Sequence, residues 1–235
     1  MQPRMQPVQT NAQFGRTADQ VAVQNRVLRN TYVLLALTMI PTVIGAMVGI
    51  NTDFSFMAAY PIAGPLMMLA VMIGMLFGVT KLRNSVWGIA LLFGFTFVAG
   101  WWLGPMLQVA LGMSNGAQLI GMAAGGTGIV FAVMATIAST SKRDFSFMGK
   151  FLFVGLIVLI VAMLANLFFQ IPALALTISA VAVVLFSMFI LYDLSRIING
   201  GETNYVMATM AIYLDIYNLF IHLLNLLMAL AGNRE

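Results

Sequence analysis

The chain has 235 residues, of which 61% are hydrophobic and only 8% charged, against roughly 25% charged in an ordinary soluble domain, so lipid is its expected solvent. The net charge of +4 does not mark a nucleic-acid binder, because the basic residues stand singly or in pairs beside apolar runs, where they act as topology signals. With no cysteine in the chain, disulfides, thiolate metal sites and cysteine nucleophiles are excluded.

Residues 1–25 contain Pro3, Pro7, several glutamines, Arg4 and Arg16. They lack the apolar core of a signal peptide and are expected to form a flexible cytoplasmic tail. Residues 26–232 are expected to form one membrane domain. A helix crossing a hydrocarbon core of about 30 Å needs about 20 mostly apolar residues, and seven stretches supply them. The first covers residues 31–50. The second, residues 61–81, opens on Pro61, which suits a first helical turn. The third covers residues 86–103. The fourth, residues 117–140, closes on Ser141, Lys142, Arg143 and Asp144, and the fifth covers residues 147–169. The sixth begins at Pro172 and ends near Tyr192 and Asp193. The seventh, residues 205–230, follows the turn Asn199, Gly200, Gly201. The pattern predicts an all-α integral membrane protein with seven transmembrane helices.

A cytoplasmic N-terminus puts Arg4, Arg16, Arg26, Arg29, Lys81, Arg83, Lys142, Arg143, Lys150 and Arg196 on one side and only Arg234 on the other. That bias over short loops sets the orientation and sends the C-terminus outside. Glycines four apart at Gly45/Gly49, Gly74/Gly78 and Gly121/Gly125 are expected to permit close helix packing.

Asp215 falls about ten residues into the last span, about 15 Å deep at 1.5 Å per residue. An ionised carboxylate there needs water, a proton or a partner, which makes it the leading functional candidate, beside the plainer reading of a protonated packing acid. Asn218, His222 and Asn225 follow at offsets of three, seven and ten, which keeps all four on one helix face. This stripe must turn towards other helices or a water-filled cavity. His222 reads as a hydrogen-bonded packing residue or as a proton relay. Asp193, at the cytoplasmic end of the sixth span, could meet Asp215 if the last two spans pack antiparallel. Two carboxyls in one site share a proton and titrate as a unit. Arg83, at the end of the second span, is a candidate to latch onto them, or else a plain topology charge.

The run LYDLSRIINGGETNYVMATMAIYLDIYNLFIHLLNLL from Leu191 closely resembles the signature end of the Bax inhibitor-1, or transmembrane Bax-inhibitor-motif, family. NRVLRNTYVLLALT in the first span, FTFVAG in the third and KRDFSF before the fifth add to the resemblance, which covers nearly everything after the tail. The resemblance implies six helices wrapped around a central last helix, and a hydrogen-bonded aspartate pair, matched by Asp193 and Asp215, gating a pH-dependent calcium leak. Bacterial members also have an arginine latch, matched by Arg83 in the less arginine-rich pattern KLRNS.

Acidic oxygens suit a hard cation, so the expected function is a pH-sensitive calcium leak channel of the bacterial inner membrane. It would have no cofactor, with Ca2+ passing transiently at Asp193 and Asp215. A proton-coupled exchanger and a regulatory protein that binds a membrane protease are the alternatives. Intramembrane aspartyl proteases also use a Tyr-Asp on one helix and an aspartate on the next. Their second motif is Gly-Asp, whereas Tyr213 and Leu214 precede Asp215 here, so no enzyme activity is expected.

Overall fold

The computed structural model describes residues 18–55, 59–141 and 143–232, which contain helices and turns but no strand. The helices are α1 (Ala18–Ile50), α2 (Ala63–Leu82), α3 (Val86–Trp102), α4 (Gly104–Leu111), α5 (Gly116–Thr140), α6 (Gly149–Phe169), α7 (Pro172–Ile198) and α8 (Tyr205–Gly232). A short 3-10 turn, Phe145–Met148, leads into α6. Seven segments are long and apolar enough to cross a membrane, with α3 and α4 counted as one. The chain is therefore an all-α membrane protein. Its outer surface agrees: Phe77 is 71% exposed and Phe151 70% exposed, which lipid tolerates and water does not.

α1 begins at Ala18, so residues 18–25, expected in the tail, belong to its first turns. Residues 1–17 lie outside the described residues. The third span does not stop at Leu103 but breaks there and resumes as α4, with Pro105 in the new first turn. Proline lacks an N–H and its ring disfavours helical backbone just before it, which explains the break. From α4, Gln108 Nε2 donates to the carbonyls of Gly49, Ile50 and Thr52 at 3.2, 2.9 and 2.9 Å. Gly49 and Ile50 close α1 and Thr52 follows it, where carbonyls lack the usual helical donors four residues on.

The glycines divide by environment. A Cβ at Gly45 would strike the Phe97 carbonyl, one at Gly49 the Trp101 carbonyl, and one at Gly100 the Thr42 carbonyl, so α1 and α3 pack backbone to backbone. Gly78 meets only the end of the Leu91 side chain, and Gly74, Gly121 and Gly125 face open space. The packing expectation fails at those last three, which lie outside any tight helix contact.

α8 packs against α1, α5 and α7, and more lightly against α3. α2 and α6 make their main contacts with α3 and α7 instead, so an arrangement of six helices around α8 does not follow from these contacts. α8 carries polar contacts on two faces. Tyr217 donates to the Ala99 carbonyl at 2.8 Å and Tyr213 hydrogen-bonds Thr42 at 2.9 Å, on the face opposite Asp215. Polar groups on both faces leave no purely apolar side for lipid.

Three connecting segments and the start of α1 gather at one end of the bundle. Asn204 Nδ2 donates to Asn84 Oδ1 at 2.7 Å, Asn199 Nδ2 donates to Asp144 Oδ1 at 3.1 Å, and Gly200 lies against Gln24. The start of α1, the loops at Arg83 and Arg143 and the α7–α8 turn that follows Arg196 therefore share one end of the bundle.

Candidate functional site

The site is built by the turn between α7 and α8. Gly200 takes a left-handed φ of +79°, free for a residue without Cβ, and the Gly201 N–H bonds back to the Arg196 carbonyl at 2.8 Å in the manner of a helix-ending motif. Asn204 Oδ1 accepts from the N–H groups of Val206 and Met207 at 3.0 and 3.1 Å and so caps α8. Between these ends Glu202 accepts from the Thr203 and Asn204 N–H groups at 3.0 and 2.9 Å and pairs with Arg196 at 3.3 Å. The connector is thus a fixed clasp that sets α7 and α8 side by side and antiparallel.

That register brings Asp193 and Asp215 together. Their side chains come close enough to act on one another directly, and two carboxyls at such range form a hydrogen bond only when one of them carries a proton. Asp215 is buried at 6% exposure, and no N–H or hydroxyl donor among the described residues reaches its Oδ2. Asp193 is partly buried. A buried carboxyl is costly in a membrane interior unless a proton, a cation or a hydrogen-bonding partner meets it.

The rest of the expected stripe has a structural role. Asn218 Nδ2 donates to its own Leu214 carbonyl at 2.7 Å. His222 Nδ1 pairs with Ser179 Oγ at 3.2 Å, Asn225 Nδ2 donates to the same oxygen at 2.8 Å, and the His222 ring stacks on Phe186 with centroids 6.1 Å apart. Histidine, asparagine and serine form one satisfied cluster that pins α8 to α7. Ser179 was not singled out by the sequence, since a lone serine in an apolar run carries no signal.

Arg83 does not act as a latch in this structure. It is exposed and makes no ion pair with either aspartate; its backbone carbonyl accepts from Asn204 Nδ2 at 3.3 Å. The cation that acts on Asp193 is Arg196, three residues along α7 and held by Glu202. Spacing on one helix could have indicated this, because residues three apart share a face.

A family model described as "Inhibitor of apoptosis-promoting Bax1" matches residues 24–233. The chain belongs to this Bax inhibitor family. Among relatives of this family, an uncharacterized membrane protein of Vibrio cholerae is 44% identical over 223 residues, 94% of this chain and 97% of the relative. An uncharacterized protein of Neisseria meningitidis serogroup A is 41% identical over 221 residues, 93% of this chain and 97% of its own. The Escherichia coli K12 protein named "Modulator of FtsH protease YccA" is 41% identical over 203 residues, 86% of this chain and 90% of its own. A relative in a second Escherichia coli strain is named an inner membrane protein.

Proposed function

We propose that this Bax inhibitor family protein is a slow, pH-controlled cation leak of the bacterial inner membrane, with calcium as cargo and the Asp193–Asp215 pair as its gate. The observation that carries the reading is Asp215, buried within a membrane span beside Asp193, with no N–H or hydroxyl donor among the described residues reaching its Oδ2. The shared proton ties α7 to α8. Its loss leaves two like charges in a poorly screened interior, which pushes the helices apart and turns acidic oxygens towards the opening. Such oxygens attract a hard cation. Two carboxylates fall short of the roughly six to eight oxygens of a resident calcium site, which fits an ion in transit.

The N-terminus and the basic-rich end face the cytoplasm in this reading, because ten of the eleven basic residues lie there. The pair then opens towards the cytoplasm. The protein is non-enzymatic and needs no cofactor in this reading: Leu214 precedes Asp215 where the proteases have the glycine that lets a peptide backbone approach.

Calcium entry into liposomes carrying wild type, Asp193→Asn or Asp215→Asn tests the gate. An asparagine holds the hydrogen bond without a titratable proton, so both variants should stay closed at alkaline pH, with flux several-fold below wild type. Unchanged flux in both removes the aspartate gate. Uphill calcium movement driven by a proton gradient would make the protein an exchanger, since a leak only dissipates gradients.

A second reading is favoured by the printed name of the Escherichia coli relative, a modulator of a membrane protease. In that reading residues 1–17 dock the protease. Their removal should abolish co-purification with FtsH and leave calcium flux intact; retained binding removes the tail as the docking segment.

A further inference from the structure

α1 packs on α3 and α8, and α5 packs on α7 and α8, so α1 and α5 stand apart across one side of α8. They meet through Tyr32 and Phe131, whose rings touch edge to face with centroids 6.2 Å apart. Beyond that contact lies a cleft of about 880 Å³, floored by Ile216 and Phe220 of α8 and bounded at its far end by Leu107 and Leu111 of α4.

Apart from the Tyr32 hydroxyl at one end, the polar side chains along the cleft bond within the protein. Tyr213 bonds Thr42, Tyr217 bonds the Ala99 carbonyl, and Thr127 bonds the Ala123 carbonyl at 2.8 Å. Water needs two to four polar partners to settle in a cavity, which a single hydroxyl does not supply. The walls run without interruption into the lipid-facing surface, where Val43 is 52% and Met47 61% exposed. The occupant is therefore apolar and enters from the bilayer.

Size selects among apolar occupants. A helix about 10 Å across that spans about 30 Å fills roughly 2,400 Å³, far more than the cleft holds. A flexible acyl chain is thin enough. The lining runs along α1 from Tyr32 to Ile50, about 27 Å at 1.5 Å per residue, so an extended chain has room.

A charge stands just past the Tyr32 end of the cleft, outside its lining. Arg29 is exposed and lies one turn before Tyr32. At 100° per residue it falls on the same α1 stripe as Tyr32, Ala36, Met39, Val43 and Met47. We propose that the α1–α5 cleft binds an acyl chain of an anionic phospholipid, with Arg29 at its headgroup.

The full chain, reconstituted into nanodiscs of equal phosphatidylglycerol and phosphatidylcholine and released for native mass spectrometry, tests this. Wild type should retain phosphatidylglycerol in preference. Gly128→Phe, at a position with open space around it, should fill the cleft and cut the adduct about tenfold by removing apolar contact. Ile129→Phe, on the same helix but 67% exposed to lipid, should change nothing. Arg29→Gln should lower phosphatidylglycerol several-fold and leave phosphatidylcholine unaffected. An undiminished adduct in folded Gly128→Phe overturns the site, equal retention of the two lipids overturns the headgroup assignment, and a dimer lost in Gly128→Phe makes a second copy the occupant. Should Gly128→Phe fail to fold, phosphatidylglycerol with a diazirine in its chain must label wild-type α1 and α5 within the cleft. Labelling spread evenly over α2 and α6 overturns the proposal.

Discussion

Asp215 was legible because an acid in the middle of an apolar run is expensive wherever it sits. Ser179 and Tyr217 were not, because membrane helices carry many hydroxyls that satisfy themselves on the preceding turn, as Thr31 does on the Val27 carbonyl at 2.8 Å. Only packing separates a hydroxyl that binds its own helix from one that joins two helices. Arg83 shows the converse: its charge was visible, but its partner was not, and Arg196 takes the place beside Asp193. The His222 cluster gives a test at this scale. Ser179→Ala leaves His222 Nδ1 and Asn225 Nδ2 without their shared partner, which should cost about 1–3 kcal/mol, read by unfolding in mixed micelles. The pH dependence of calcium flux should be unchanged; a shifted pH profile would make His222 part of the gate.

At the scale of elements, identical glycine spacings meant different things. Gly45 and Gly49 lie against α3, whereas Gly121 and Gly125 face open space, and spacing alone does not say which face of a helix meets a neighbour. Gly100→Leu would drive a side chain into the Thr42 carbonyl and should destabilise the α1–α3 contact by about 1–3 kcal/mol or more. Gly125→Leu should have no measurable effect on unfolding. An equal loss in both would contradict the backbone-to-backbone packing of α1 and α3. The short α4 was missed because eight residues after a proline do not carry the apolar length that announces a span, and its role depends on Gln108 reaching the end of α1.

The whole molecule was the most legible level, since length and hydropathy alone mark seven crossings. Which spans touch which was not, because apolar side chains facing lipid and facing protein look alike in a sequence. Sidedness has a clean assay, as the chain contains no cysteine. A membrane-impermeant maleimide should label Asn233→Cys in intact spheroplasts and reach Asn11→Cys only after lysis; the reverse pattern would invert the topology and turn the aspartate pair outward. The measurement that bears most directly on the gate is the pH profile of calcium entry into liposomes for wild type and Asp215→Asn side by side. Loss of the shared proton is the opening step, so wild-type flux should rise from mildly acid to mildly alkaline pH while the variant stays flat at the wild-type acid level. A variant whose flux still rises with pH in parallel with wild type would contradict the account.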